Sequence, residues 1–172
     1  MNAPRSALQQ ELQQQRPFRS RREEVFLALL RTAAVVRRPV SRVIEDNDLS
    51  FAQYNVLRIL RGAGPEGLPT LAIRERLIEE AAGITRLIDK LEIAGLVARD
   101  RAASRDRRQV FCRITDAGAR LVERLDPLVT AADDTALAML DEAQLTHLLA
   151  LLDEIRARSA REPEAEVQRT AG

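Results

Sequence analysis

Gly95-Leu96-Val97-Ala98-Arg99-Asp100-Arg101, a short polar gap, and then Asp106-Arg107-Arg108-Gln109-Val110-Phe111-Cys112-Arg113-Ile114-Thr115-Asp116-Ala117-Gly118 decide the reading of this chain. Leu96 to Arg101 and Arg108 to Ile114 read as two strands of a ribbon. The polar run Ala102 to Arg107 joins them, and the tip is rich in arginine. A helical segment is expected on each side. A basic ribbon beside a pair of helices is a shape suited to gripping a nucleic-acid duplex.

Upstream, Ile84, Leu87, Ile88 and Leu91 recur at helical spacing and predict a helix from about Ala82 to Ile93 with its apolar face inward. Thr85, Arg86, Asp89 and Lys90 fall on the opposite face. Gly95 is the natural C-terminal stop. Thr70 opens a shorter helix through Leu77 or Ile78, so the two helices and their turn have helix-turn-helix spacing. A helix anchored in this way can lie in a major groove with Thr85 and Arg86 near its leading end. An arginine there can pair with guanine by two hydrogen bonds. Taken alone, the face reads as an ordinary solvated one. The ribbon directly after it favours the groove. At the tip, Arg105, Arg107 and Arg108 suit a minor groove, and Asp106 suits holding a neighbouring guanidinium in place.

Helices are also expected on both flanks. Val25, Phe26, Leu29, Leu30, Ala33 and Val36 mark one that begins near Arg19 and should end before Pro39. Met1 to Pro17 is polar and reads as frayed. Ser50 with Gln53 forms a capping box for a helix whose apolar side is Phe51, Tyr54, Leu57 and Leu60, stopped by Gly62 and Gly64-Pro65. Thr115 caps another, with Leu121, Val122, Leu125, Leu128 and Val129 on one side and a bend possible at Pro127. Asp141 and Gln144 box the last, carrying Leu145, Leu148, Leu149, Leu152 and Ile155. The tail after Arg161 reads as disordered.

The charge is unevenly spread along the 172 residues. Residues 84–113 carry eight basic and four acidic side chains, residues 114–172 six and twelve, within a net charge of +1. Positive charge gathered at the ribbon is the asymmetry expected when one face meets a polyanion. One Cys and one His exclude an intrachain disulfide and a zinc site of Cys and His ligands. No nucleophile–base pair or Gly-rich phosphate loop is evident, so no enzyme, catalytic residue, metal or cofactor is expected. Cys112 reads as a small buried hydrophobe, and the isolated His147 as a surface or interface residue. No apolar run spans a bilayer and no signal peptide opens the chain, so a cytoplasmic protein with no membrane partner is expected.

Ile84 to Glu92, then Gly95-Leu96-Val97, Asp106-Arg107-Arg108 and Ile114 to Gly118 resemble the winged helix of the MarR (multiple antibiotic resistance regulator) family over roughly Ser50 to Leu125. The resemblance implies a mainly α fold with a small β wing: a winged helix-turn-helix with N- and C-terminal dimerisation helices. The corresponding divisions are a flexible tail (1–18), a dimerisation helix and linker (19–49), the DNA-binding region (50–115), C-terminal dimerisation helices (116–160) and a second tail (161–172). It implies a homodimeric regulator, usually a repressor, that reads a pseudo-palindromic operator in double-stranded DNA. Thr85 and Arg86 would belong to the recognition helix with Lys90 beside them. Arg108 would enter the minor groove, Asp106 would orient it, and Arg105 and Arg107 would add contacts. A phenolic or aromatic-acid effector is implied, for which Phe26, Phe51, Tyr54 and Arg58 are candidates. Two departures stand out: Arg74 occupies a position usually held by a small residue, and Glu79-Glu80 puts acid into the turn. Arg74 would mean a looser helix crossing or a side chain reaching outward to phosphate. The alternative is a winged-helix interaction module that dimerises without specific DNA binding.

Overall fold

The computed structural model describes residues 5–79, 83–100 and 110–170, with side chains through residue 158. The order of elements is α1 (Ala7–Glu11), α2 (Arg21–Glu45), α3 (Phe51–Ala63), β1 (Leu68–Pro69), α4 (Thr70–Glu75), α5 (Ile84–Ile93), β2 (Val97–Asp100), β3 (Phe111–Ile114), α6 (Asp116–Leu137) and α7 (Glu142–Thr170). Contacts divide the chain into two compact units, Met1–Asp133 and Asp134–Gly172.

Capping chemistry starts α3, α6 and α7. Ser50 Oγ accepts from Gln53 N–H at 3.2 Å while Gln53 Oε1 accepts from Ser50 N–H at 2.9 Å, the reciprocal box expected at α3. Asp141 and Gln144 do the same ahead of α7. Thr115 caps α6 by accepting from Gly118 N–H at 3.1 Å, and its own hydroxyl donates to Gly95 O at 2.7 Å. At the end of α5, Gly95 takes φ +70°. Leu96 N–H then reaches back to Leu91 O, and Gly95 N–H to Glu92 O, both at 2.9 Å. This paired closure of the last turn favours a residue without Cβ at the left-handed position.

Five expectations need correction. Residues 1–17 are not uniformly frayed: α1 is started by a Ser6–Gln9 capping box, and Glu11 pairs with Arg31 of α2 at 2.7 Å. Helix α2 does not end before Pro39 but runs through it to Glu45. An interior proline costs about 3 kcal/mol. Beyond it Val40 is buried and Ile44 fully so, and burial of two such side chains contributes about 1.5–3 kcal/mol each, enough to offset that cost. Helix α4 ends at Glu75, short of Leu77, and Gly62 lies inside α3 so that Gly64 alone stops it. Finally, α7 continues as helix to Thr170, beyond the expected break at Arg161.

The sheet holds one strand more than the ribbon. Its order is β1-β3-β2, antiparallel throughout. Leu68 faces Cys112 across β1 and β3, and Val97 faces Ile114 across β2 and β3. The strands of the ribbon are Val97–Asp100 and Phe111–Ile114, four residues each. The connecting residues 101–109 lie outside the described residues.

An aliphatic core fills the first unit. Ile44, Val56, Leu57, Leu60, Ile73, Ile88, Leu91, Cys112 and Val122 have no exposed surface, with α2, α3, α4, α5, the sheet and α6 each contributing. Tyr54 is buried too, and its hydroxyl donates to Asp126 of α6 at 3.5 Å, beside an Arg61–Asp126 ion pair at 2.6 Å. Gly118 permits the closest approach: a Cβ there would fall 2.3 Å from Leu96 O.

Candidate nucleic-acid interface

Helix α5 divides as its periodicity requires. Ile84, Ile88 and Leu91 are buried, and Leu87 packs against the core from its edge. Thr85, Arg86 and Lys90 are exposed. The first-turn N–H groups of α5 begin at Gly83, which offers no side-chain cap. Ahead of it, α4 buries Ile73 and leaves Arg74 exposed. Arg74 therefore reaches outward.

Asp89 is less exposed than its neighbours on the outer face. Arg99 of β2 forks onto it at 2.5 Å and onto Glu92 at 2.9 Å, and a further bond reaches Thr85 O at 3.3 Å. Burial works against the Arg99 charge, but the hydrogen bond to Asp89 and the nearby carboxylates outweigh it and hold the guanidinium more basic than usual. The strand thus clamps the wing to the helix. Sequence reasoning counted Arg99 only as charge. The signal was present: Arg99 shares a strand face with Val97, two residues before it, and Val97 is buried.

A hollow of about 650 Å³ opens between α4, α5 and the sheet, lined by Thr70, Arg74, Glu75, Ile84, Thr85 and Arg99 among others. Thr70, in its lining, has its Oγ1 3.8 Å from Cys112 Sγ. Cys112 is fully buried, and burial pushes its thiol upward. This agrees with the expectation of a small apolar residue and leaves no thiolate poised for reaction. Arg113, on the other strand face, is ion-paired with Asp100 at 3.1 Å.

The four effector candidates are not gathered in one place. Phe26 is exposed and lines a hollow of about 460 Å³ on α2 with Arg21, Arg22, Val25 and Leu29. Phe51 lies under the guanidinium of Arg37, and Tyr54 under that of Arg58 at 5.9 Å. Burial, and secondarily the Asp126 carboxylate, raise the Tyr54 phenol above its ordinary value in spite of Arg58 and Arg61. Arg105, Asp106, Arg107 and Arg108 lie outside the described residues. Among those described, no cluster of His, Cys, Asp or Glu is able to hold a metal, and no helix is long and apolar enough to cross a membrane.

A short helix, a turn, a second helix with a polar outer face and a small antiparallel sheet clamped beside it define a winged helix-turn-helix DNA-binding protein. No protein-family model matches the chain. It is 31% identical over 163 residues to the HTH-type transcriptional regulator TtmR of Methylorubrum extorquens, covering 92% of this chain and 80% of that one. The chain belongs to the MarR family of DNA-binding transcriptional regulators. Among solved structures it resembles a MarR transcription factor from Planctomyces limnophilus, with 37% identity, a TM-score of 0.61 and coverage of 80% and 98% of the two chains. It also resembles BpsR of Bordetella bronchiseptica, whose DNA binding is regulated by 6-hydroxynicotinic acid, with 25% identity, a TM-score of 0.69 and coverage of 82% and 98%.

Proposed function

We propose that this protein is a ligand-responsive repressor that acts in the cytoplasm as a homodimer on a pseudo-palindromic operator. The observation that carries the reading is the outer face of α5, where Thr85, Arg86 and Lys90 are all exposed while the opposite face is locked into the core. Thr85 and Arg86 read base edges in the major groove and Lys90 meets phosphate. On the wing, Arg108 enters the minor groove, Asp106 orients it, and Arg105 and Arg107 add phosphate contacts. The segments 19–49 and 116–160 supply the dimer contacts and 50–115 reads DNA.

The effector is a small aromatic or heteroaromatic acid. The 6-hydroxynicotinic acid response of BpsR supports that class, and Phe26, Phe51, Tyr54 and Arg58 are the candidate contacts. Anisotropy titration of a duplex from just upstream of the protein's own gene, against a shuffled duplex, tests the DNA reading. Selective binding that weakens steeply with salt is expected. Arg108→Ala should weaken binding broadly, and Arg86→Ala should also relax preference at particular bases. Unchanged affinity in both variants overturns the assignment.

A further inference from the structure

The turn ahead of the recognition helix carries an acid in a protein whose partner is a polyanion. A free carboxylate at Glu79 adds repulsion where α5 approaches phosphate. Its Oε1 is instead ion-paired with Nη1 of Arg37, which belongs to α2. Arg37 is steadied from a second side, because its guanidinium lies over the Phe51 ring, 5.6 Å from the centroid. The adjoining residue is fixed as well: Ile78 N–H donates to Oδ1 of the buried Asn55 at 3.0 Å. Helix α3 therefore holds the backbone of the turn and α2 holds its charge.

We propose that Arg37 is a positioning residue for DNA binding: it anchors Glu79 on α2 and cancels its charge, so that the acidic turn does not oppose the duplex. The role rests on DNA binding through α5, and it links the N-terminal helix to the reading head. An exposed ion pair contributes about 0.2–1 kcal/mol, so the effect expected in affinity is at most about fivefold. Its distinguishing mark is dependence on Glu79.

The test uses the full chain and a duplex of about 30 base pairs, nearly three helical turns, selected by the wild-type protein from a random library. Affinity is measured at about 50 and 200 mM salt for Arg37→Ala, Glu79→Gln, the double variant and the charge exchange R37E/E79R. Arg37→Ala should bind about two- to fivefold more weakly at the lower salt. Glu79→Gln should stay within about twofold of wild type, and adding it to Arg37→Ala should restore binding to that range. The charge exchange should recover most of the loss. Loss in Arg37→Ala that Glu79→Gln does not repair, with a salt slope shallower by about one, identifies Arg37 as a phosphate contact and overturns the proposal. Equal loss in both single variants with lowered melting points identifies a merely structural pair and also overturns it. Arg86→Ala, run alongside, separates the two readings. Affinity lost there but kept in Arg37→Ala removes the Arg37 role alone; affinity kept in both removes the recognition-helix assignment with it.

Discussion

Gly118 shows how much one missing side chain decides. The residue sits in the first turn of α6, where a Cβ would fall 2.3 Å from Leu96 O and 2.9 Å from Ile114 Cγ1. The Leu96 backbone cannot retreat easily, since its N–H is tied to Leu91 and its carbonyl accepts from Thr115 N–H at 3.1 Å. Gly118→Ala is expected to destabilise by about 1–3 kcal/mol through overpacking, read as a lower urea midpoint at constant m. The motif Ile114 to Gly118 was visible in the sequence, but its reason was not, because only the fold brings Leu96 to that spot. Cys112 is the opposite case, a residue whose buried character the surrounding sequence already suggested. With its thiol pushed upward by burial, it stays protonated at pH values where a free cysteine, near pKa 8.5, is partly thiolate. A raised pKa in the folded state contributes stability present below the unfolded value and lost as pH rises through the folded one. Iodoacetamide at about pH 8.5 should therefore leave native protein unlabelled and label it rapidly in denaturant. Rapid labelling of the native form contradicts the burial.

At the scale of elements, what was legible followed local chemistry. The boxes at Ser50–Gln53 and Asp141–Gln144, the cap at Thr115 and the stop at Gly95 are short-range events, and each is realised by the bonds expected of it. The failures were tertiary. Pro39 looked like a boundary because the gain from burying Val40 and Ile44 lies outside the local sequence. Strand β1 is two residues long, too short to show a period, and exists because β3 offers it an edge. The clamp from β2 to α5 was missed for the same reason. Arg99 is mostly covered and serves two carboxylates, so it acts as a small network rather than one exposed pair. Arg99→Ala is expected to cost about 1 kcal/mol of stability, discounted for the partial exposure of Asp89 and Glu92. It should also raise amide exchange in Val97–Asp100 while that in Ile84–Ile93 changes little. Operator affinity should fall with it, since a loosened wing loses its orientation relative to α5. Exchange unchanged in β2 sinks the clamp.

At the scale of the whole molecule, the apolar residues left over are as informative as the core. On α2, Val25, Phe26 and Leu30 remain 50–59% exposed. On α7, Leu148 and Leu149 remain 36–59% exposed. Helical periodicity identified both stripes but could not say what covers them, because a period reports that a face is buried and not by which chain. Single exposed apolar residues are ordinary, whereas stripes of them along a helix call for a partner. In the proposed homodimer a second copy of this chain meets that need, and the operator then has two-fold symmetry with half-sites about 34–36 Å apart. Sedimentation should accordingly report a dimer at micromolar concentration. Phe26→Glu and Leu149→Glu, each placing a charge where burial is expected, should shift the chain toward monomer without unfolding the reading head, whose core these side chains do not join. Operator affinity should drop far more than affinity for a single half-site, since joined sites gain from effective concentration and separate heads do not. A dimer that survives both substitutions, or a monomer that binds the full operator as tightly as wild type, rules out these stripes as the source of its symmetry.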